Sequence, residues 1–185
     1  MKNKKAFIFH CWGGQGRNCW RGWLADKLTA SGFEVVCPDF PNTMEPQLTE
    51  WLAEVRKRVK KFDKDWILVG HSLGCPTILR VLESLDEDER IGGAFLVAGF
   101  AKDLGIPETR SFMEKEFDWE KINSKCEKFV VINSDNDPFI ELREGERLAK
   151  LLNTKLITEH NAGHINEGGG WTKYPRLLDL IKNPD

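Results

Sequence analysis

The chain of 185 residues lacks any C-x-x-C pair. Its five cysteines, Cys11, Cys19, Cys37, Cys75 and Cys126, are scattered and odd in number. That pattern argues against a disulfide framework or a zinc knuckle and fits reduced thiols in the cytoplasm. Long apolar runs are also missing, so no bilayer-spanning segment and no membrane partner are expected. The opening, MKNKKAFIFHCWGG, is basic, but its apolar stretch is short and leads into Gly-rich sequence rather than a cleavage site, so no signal peptide is expected. Neither sign of charge is in excess: 27 Lys and Arg against 29 Asp and Glu leave −2, and no tail departs from that balance. A nucleic-acid partner is therefore not expected. The basic run RKRVKK, residues 56–61, closes a helix-like segment, where cations complement the dipole, and reads as a solvated helix end. A phosphate loop is lacking as well. GGQGRN does not match G-x-G-x-x-G and no Walker lysine follows, which disfavours a nucleotide- or flavin-binding domain.

What the chain does contain is an alternation. Short apolar runs rich in Val, Ile and Phe predict strands near Lys5–His10, Glu34–Cys37, Trp66–Val69, Gly93–Ala98, Phe129–Asn133 and Lys155–Thr158. Most are apolar throughout, as strands covered on both faces are. Helical spacing predicts helices near Cys19–Ala30, Glu45–Phe62, Thr77–Leu85, Glu141–Leu152 and Pro175–Lys182. In the second, Leu48, Trp51, Leu52, Val55 and Val59 form one face, with Asn42 or Thr43 as cap and Pro46 in the first turn. Six strands and five helices make one doubly wound α/β domain over 1–185. The longest irregular part, 99–128, holds the helix-like RSFMEKEFDWEKI and is the place for a small lid-like insert. Its length excludes a large lid domain, so a site open to solvent is expected.

DWILVGHSLGCPTILRVL reads as strand, abrupt turn and helix, with Ser72 between two glycines. Chance gives about 0.04 matches to G-x-S-x-G at this composition, so the motif is uncommon without being decisive. Ser72 is a nucleophile or a helix-starting hydroxyl, serine being a favoured N-cap. At the carboxyl edge of a parallel sheet its oxygen lies where such sheets bind ligands, beside free N–H groups that suit an oxyanion.

A serine hydroxyl needs a base, and the base needs an orienting acid. Of the four histidines, His10 ends a strand and His71 lies inside the turn. His164, in a Gly-rich loop after the last strand, is the preferred base, and His160 is assigned a structural role. The pair H-x-x-x-H is broken by Asn161 and Gly163 and lacks further ligands, so no metal and no cofactor are expected. For the acid, INSDNDPFI offers Asp137, held extended by Pro138, with Asp135 as the alternative. Aspartates there also serve ordinary turns.

These segments, FIFHCWGG, NCWRGWLADKL, VVCPDFP, GHSLG, INSDNDPFI and NAGHINEGGGW, resemble an α/β-hydrolase along the whole chain, and among those the small serine-hydrolase family typified by retinoblastoma-binding protein 9. The resemblance implies a six-stranded parallel sheet in the order 2-1-3-4-5-6 and a triad of Ser72, Asp137 and His164. It also implies an oxyanion hole from the backbone N–H groups of Leu73 and Trp12. Many relatives have His-Gly where this chain has His10–Cys11, which puts the direction of the Trp12 N–H in question. Asp39 matches a frequent turn aspartate. Trp12, Phe40, Phe139 and Trp171, near strand ends, are candidates for an acyl pocket as well as for packing. The expected function is hydrolysis of small carboxylic ester-like substrates through an acyl-enzyme on Ser72. The alternative is a weakly catalytic or non-catalytic module with a protein partner on the same fold.

Overall fold

In the computed structural model, which describes residues 4–183, six strands lie parallel in the order β2-β1-β3-β4-β5-β6. They are β1 (Lys5–Phe9), β2 (Glu34–Val36), β3 (Trp66–His71), β4 (Gly93–Val97), β5 (Phe129–Ser134) and β6 (Leu156–Glu159). The order is the one the resemblance implies, and every neighbouring pair is parallel. Six helices run between and after them: α1 (Trp20–Ala30), α2 (Leu48–Arg58), α3 (Gly74–Glu83), α4 (Trp119–Ser124), α5 (Leu142–Leu151) and α6 (Pro175–Lys182).

The strand residues are apolar on both sides because both sides are covered. Phe7, Phe9, Leu68, Leu96 and Val131 face one core with residues of α2, α3 and α5, including Trp51, Ile78 and Leu148. Their alternates Ala6, Ile8, Val69, Phe95, Val97 and Ile132 face a second core with Trp20, Leu24 and Leu28 of α1 and Leu177 and Ile181 of α6. Side chains alternate across a strand, so one apolar run feeds two cores.

Two stretches differ from the expected helices. The second helix is shorter than Glu45–Phe62: its N-cap is Gln47, in extended conformation, and Val59 leaves helical geometry at φ −124°. Val59 and Phe62 stay buried, so the apolar spacing continues beyond the helix that it suggested. The basic run does fall at that helix end. Arg56 donates to Glu89 at 2.8 and 2.9 Å, and Arg58 and Lys61 pair with Glu54 and Asp88.

The helix-like stretch of the insert is instead a 3-10 turn at Pro107–Phe112, a break, and then α4, capped by Asp118. The physical reason is Arg80 of α3. It donates to the carbonyls of Phe112, Lys115 and Glu116 and stacks 3.8 Å from the Phe117 ring centroid, taking acceptors that a continuous helix needs for itself.

Candidate active site

At the end of β3 the left-handed residue is the serine itself: Ser72 has φ 53°. A non-glycine residue in that region is strained, and such strain is held only where surrounding contacts over-determine it. Here the Ser72 N–H donates to Val97 O at 2.9 Å, and the Cys75 N–H returns to Ser72 O at 2.9 Å. The flanking glycines serve close approach. A Cβ on Gly74 would sit 2.7 Å from Phe9 O, and one on Gly70 would sit 2.8 Å from the Gly74 carbonyl carbon. The N-cap of α3 is Leu73, without a side-chain cap bond, so Ser72 does not start the helix as a capping hydroxyl. A capping serine needs extended backbone to aim its oxygen at the first turn, and φ 53° removes that geometry.

Asp137 and His164 meet beyond β5 and β6. His164 Nδ1 lies 2.7 Å from Asp137 Oδ2, in a pair whose aspartate side chain is fully buried and whose histidine is 10% exposed. Asp137 Oδ1 meanwhile accepts from the N–H groups of Phe139 and Ile140, at 2.9 and 3.1 Å. Both carboxylate oxygens are therefore committed, which fixes the plane of the group. Asp135, the alternative acid, pairs with His160 at 2.6 Å on the surface. It also accepts from Asn161 N–H, and this bond, with His160, holds its carboxyl below the usual range.

The loop bearing His164 is seated by the loop after β5. Asn161, Ala162 and Gly163 donate their N–H groups to Asp135, Ser134 Oγ and Asn136 Oδ1 in turn. Thus INSDND holds Asp137, the partner of His164, and also receives three consecutive donors of the loop that carries His164. From the other side, Trp171 Nε1 donates to Ala162 O and Trp20 Nε1 to Ile165 O, at 3.0 and 2.7 Å.

The loop after β1 is held by His10. Its Nε2 accepts from Phe40 N–H at 2.9 Å, so its proton lies on Nδ1, which donates to Cys11 O at 2.7 Å. Burial keeps this ring neutral, lowering its pKa to about 4. The same loop is tied by Gly13 N–H to Thr43 O and by Gly16 N–H to Asp39 Oδ1, the turn role expected of Asp39. Among the described residues the N–H groups of Leu73 and Trp12 have no protein acceptor.

Ser72, His164, Leu73 and Trp12 line one cavity of about 230 Å³. Phe100, Leu104, Ile106 and Thr109 of the 99–128 segment wall it on one side, and Phe139 and Ile140 on another. Two of the four aromatics suggested for an acyl pocket are present, Trp12 and Phe139, both exposed at the rim. The other two belong to the packing: Phe40 stacks on Trp51 at 4.5 Å, and Trp171 packs edge-on against Tyr174. Among the described residues no group of three or more His, Cys, Asp or Glu converges as metal ligands, and no helix is long and apolar enough to cross a membrane.

Two buried groups that touch the loops of the site, without lining its cavity, had no clear sequence signal. His71 and Arg21 are both buried, and Arg21 Nη1 lies 2.9 Å from His71 Nδ1. An arginine in the first turn of a helix looks solvent-facing in sequence.

The fold and site define an α/β-hydrolase. Polyneuridine aldehyde esterase shares this fold at a TM-score of 0.68 and 13% identity, with both chains fully covered. The crystal structure of the ydeN gene product of B. subtilis superposes at a TM-score of 0.92 with 32% identity, covering 97% of each chain. In sequence, YdeN of Bacillus subtilis (strain 168) is 32% identical over 179 residues, 96% of this chain and 94% of that one. Serine hydrolase RBBP9 of Rattus norvegicus is 25% identical over 167 residues, 89% and 85% of the two chains. The family model described as serine hydrolase matches residues 6–183, and the chain belongs to that family of hydrolases.

Proposed function

We propose that the protein hydrolyses small carboxylic esters through an acyl-enzyme on Ser72, with His164 as base and Asp137 as orienting acid. The observation that carries this reading is the buried Asp137–His164 pair at 2.7 Å, whose histidine shares one cavity with a serine at a left-handed elbow. Ser72 Oγ attacks the ester carbonyl while His164 Nε2 takes its proton. The imidazolium so formed is matched by the Asp137 carboxylate. The oxyanion is held by the Leu73 and Trp12 N–H groups, two donors with no acceptor among the described residues. His164 then returns the proton to the leaving alcohol. In the second half it takes a proton from the water that attacks the acyl carbonyl and gives it to Ser72 Oγ as the acyl–oxygen bond breaks, releasing the carboxylic acid.

The cavity wall supports an uncharged acyl group. Apart from His164, every side chain named in its lining is apolar, a thiol, a hydroxyl or an amide. Residues 99–128 supply one wall of that cavity, which supports the role of a small lid. Five unpaired thiols support a reducing, cytoplasmic setting. The test is labelling by a fluorophosphonate probe. Wild-type protein is expected to label and Ser72→Ala to remain unlabelled; labelling that persists in Ser72→Ala contradicts the assignment.

A further inference from the structure

Arg21 is 2% exposed, and its guanidinium carries a permanent charge. Its partners are His71 Nδ1 at 2.9 Å, Gln15 O at 3.0 Å and Gly16 O at 3.3 Å; among the described residues none of its partners is a carboxylate. A buried cation without a counter-charge is costly, so its retention calls for a return elsewhere.

The hydrogen bonds show what it does. A guanidinium only donates, so His71 Nδ1 must accept and the ring proton must sit on Nε2. Nε2 lies 2.9 Å from the carbonyl oxygen of His164, to which it donates. The ring is fully buried, and burial and the Arg21 charge outweigh the bond to the His164 carbonyl and oppose a second proton. The next carbonyl, Ile165 O, receives the Trp20 indole at 2.7 Å. Two neighbouring residues of the first turn of α1 therefore hold two neighbouring carbonyls, one directly and one through the His71 ring. Between these clamps Ile165 has φ 49°, which a β-branched residue adopts only when forced. The other arms of Arg21 hold Gln15 and Gly16, in the loop that carries Trp12.

We propose that Arg21 is a positioning residue for the hydrolytic centre. Through His71 it sets the backbone of His164, and through Gln15 and Gly16 it sets the loop of the Trp12 N–H, so one guanidinium joins three loops of the site. The proposal rests on the triad reading above, because it gives the His164 backbone a purpose in orienting the base.

The test combines ring spectroscopy with kinetics on the full-length protein. In wild-type protein, long-range ¹H–¹⁵N spectra are expected to show His71 as the neutral Nε2–H tautomer; an Nδ1–H or doubly protonated ring overturns the proposal whatever the variants do. Arg21→Met is expected to lower kcat for p-nitrophenyl acetate about 10- to 100-fold with little change in KM, the cost of a misplaced base. Arg21→Lys keeps the charge without the fork and is expected to fall between. Arg21→Met combined with His71→Asn is expected to be no worse than the poorer single variant, since both cut one chain. A folded Arg21→Met with unchanged kcat, or losses that multiply in the double variant, overturns the proposal. Ser72→Ala separates the two claims. If it still hydrolyses and labels, the triad reading fails; if it is silent while Arg21→Met is fully active, only the Arg21 assignment fails.

Discussion

Asp137→Asn tests the orienting role proposed for the carboxylate, because the structure dictates how the new amide must lie. Asp137 Oδ1 accepts two backbone N–H groups, from Phe139 and Ile140. An NH₂ group facing two donors is repelled, so the Asn carbonyl oxygen keeps that side and its NH₂ faces His164 Nδ1. Nδ1 must then accept, the imidazole proton moves to Nε2, and the nitrogen that should take the Ser72 proton is already occupied. The imidazolium also loses its counter-charge in a pair with a fully buried carboxylate and a histidine only 10% exposed. Breaking a buried charge pair costs about 3–5 kcal/mol, which is roughly 10²- to 10⁴-fold in rate. The expected outcome is a loss of that size in kcat for a p-nitrophenyl ester, with KM little changed and the melting temperature nearly kept. A kcat within about threefold of wild type, well inside a 1 kcal/mol change, refutes the reasoning. So does a larger loss from Asp135→Asn, whose carboxylate pairs with exposed His160.

Glu89 makes an independent prediction about stability. Burial alone raises its pKa, but Arg56 and the N–H groups of Phe62 and Asp86 outweigh that and hold it at about 2, against an ordinary 4.5. A depressed carboxylate contributes stability above its unfolded pKa and loses it as pH falls through the folded one, so the contribution is full above pH ~5 and fades toward pH ~2. Glu89→Gln is expected to cost about 1–2 kcal/mol at pH 7 and to flatten the acid limb of denaturant-measured stability; an unchanged acid limb contradicts this. Leu104→Trp fills part of the 230 Å³ cavity from the insert side. It is expected to lower kcat/KM for octanoate esters at least about tenfold relative to acetate, each excluded methylene being worth about 0.8 kcal/mol. An unchanged chain-length profile contradicts the acyl-pocket assignment.

The sheet was legible because its strands carry apolar residues on both faces: Phe7 and Phe9 serve one core, Ala6 and Ile8 the other. Ser72, Asp137 and His164 were legible as candidates for a related reason, since each follows a strand that periodicity finds, and strand ends of a parallel sheet share an edge. Their contacts were not. Nothing in the spacing says that Asp137 meets His164 while Asp135 meets His160, a choice made by three backbone donors falling on Ser134, Asp135 and Asn136. Apolar spacing also overran α2, because Val59 and Phe62 are buried by extended chain as well as by helix. Arg80 and Arg21 stayed hidden for one reason. A helical arginine looks solvated in sequence, whereas Arg80 is buried against carbonyls of the distant 99–128 segment, and Arg21 against the distant His71 ring and the carbonyls of the loop that leads into its own helix.

The covalent step on Ser72 is tested most directly by rapid mixing with excess p-nitrophenyl acetate, followed by acid quench and peptide mass analysis. The account predicts an acetyl group on the peptide carrying Ser72 that is absent from Ser72→Ala, its occupancy approaching one per active chain, with a matching burst of p-nitrophenol, where deacylation limits turnover, and falling in proportion as acylation becomes limiting. Turnover by wild-type protein with the acetyl group on another residue, or with Ser72→Ala equally active, would contradict it.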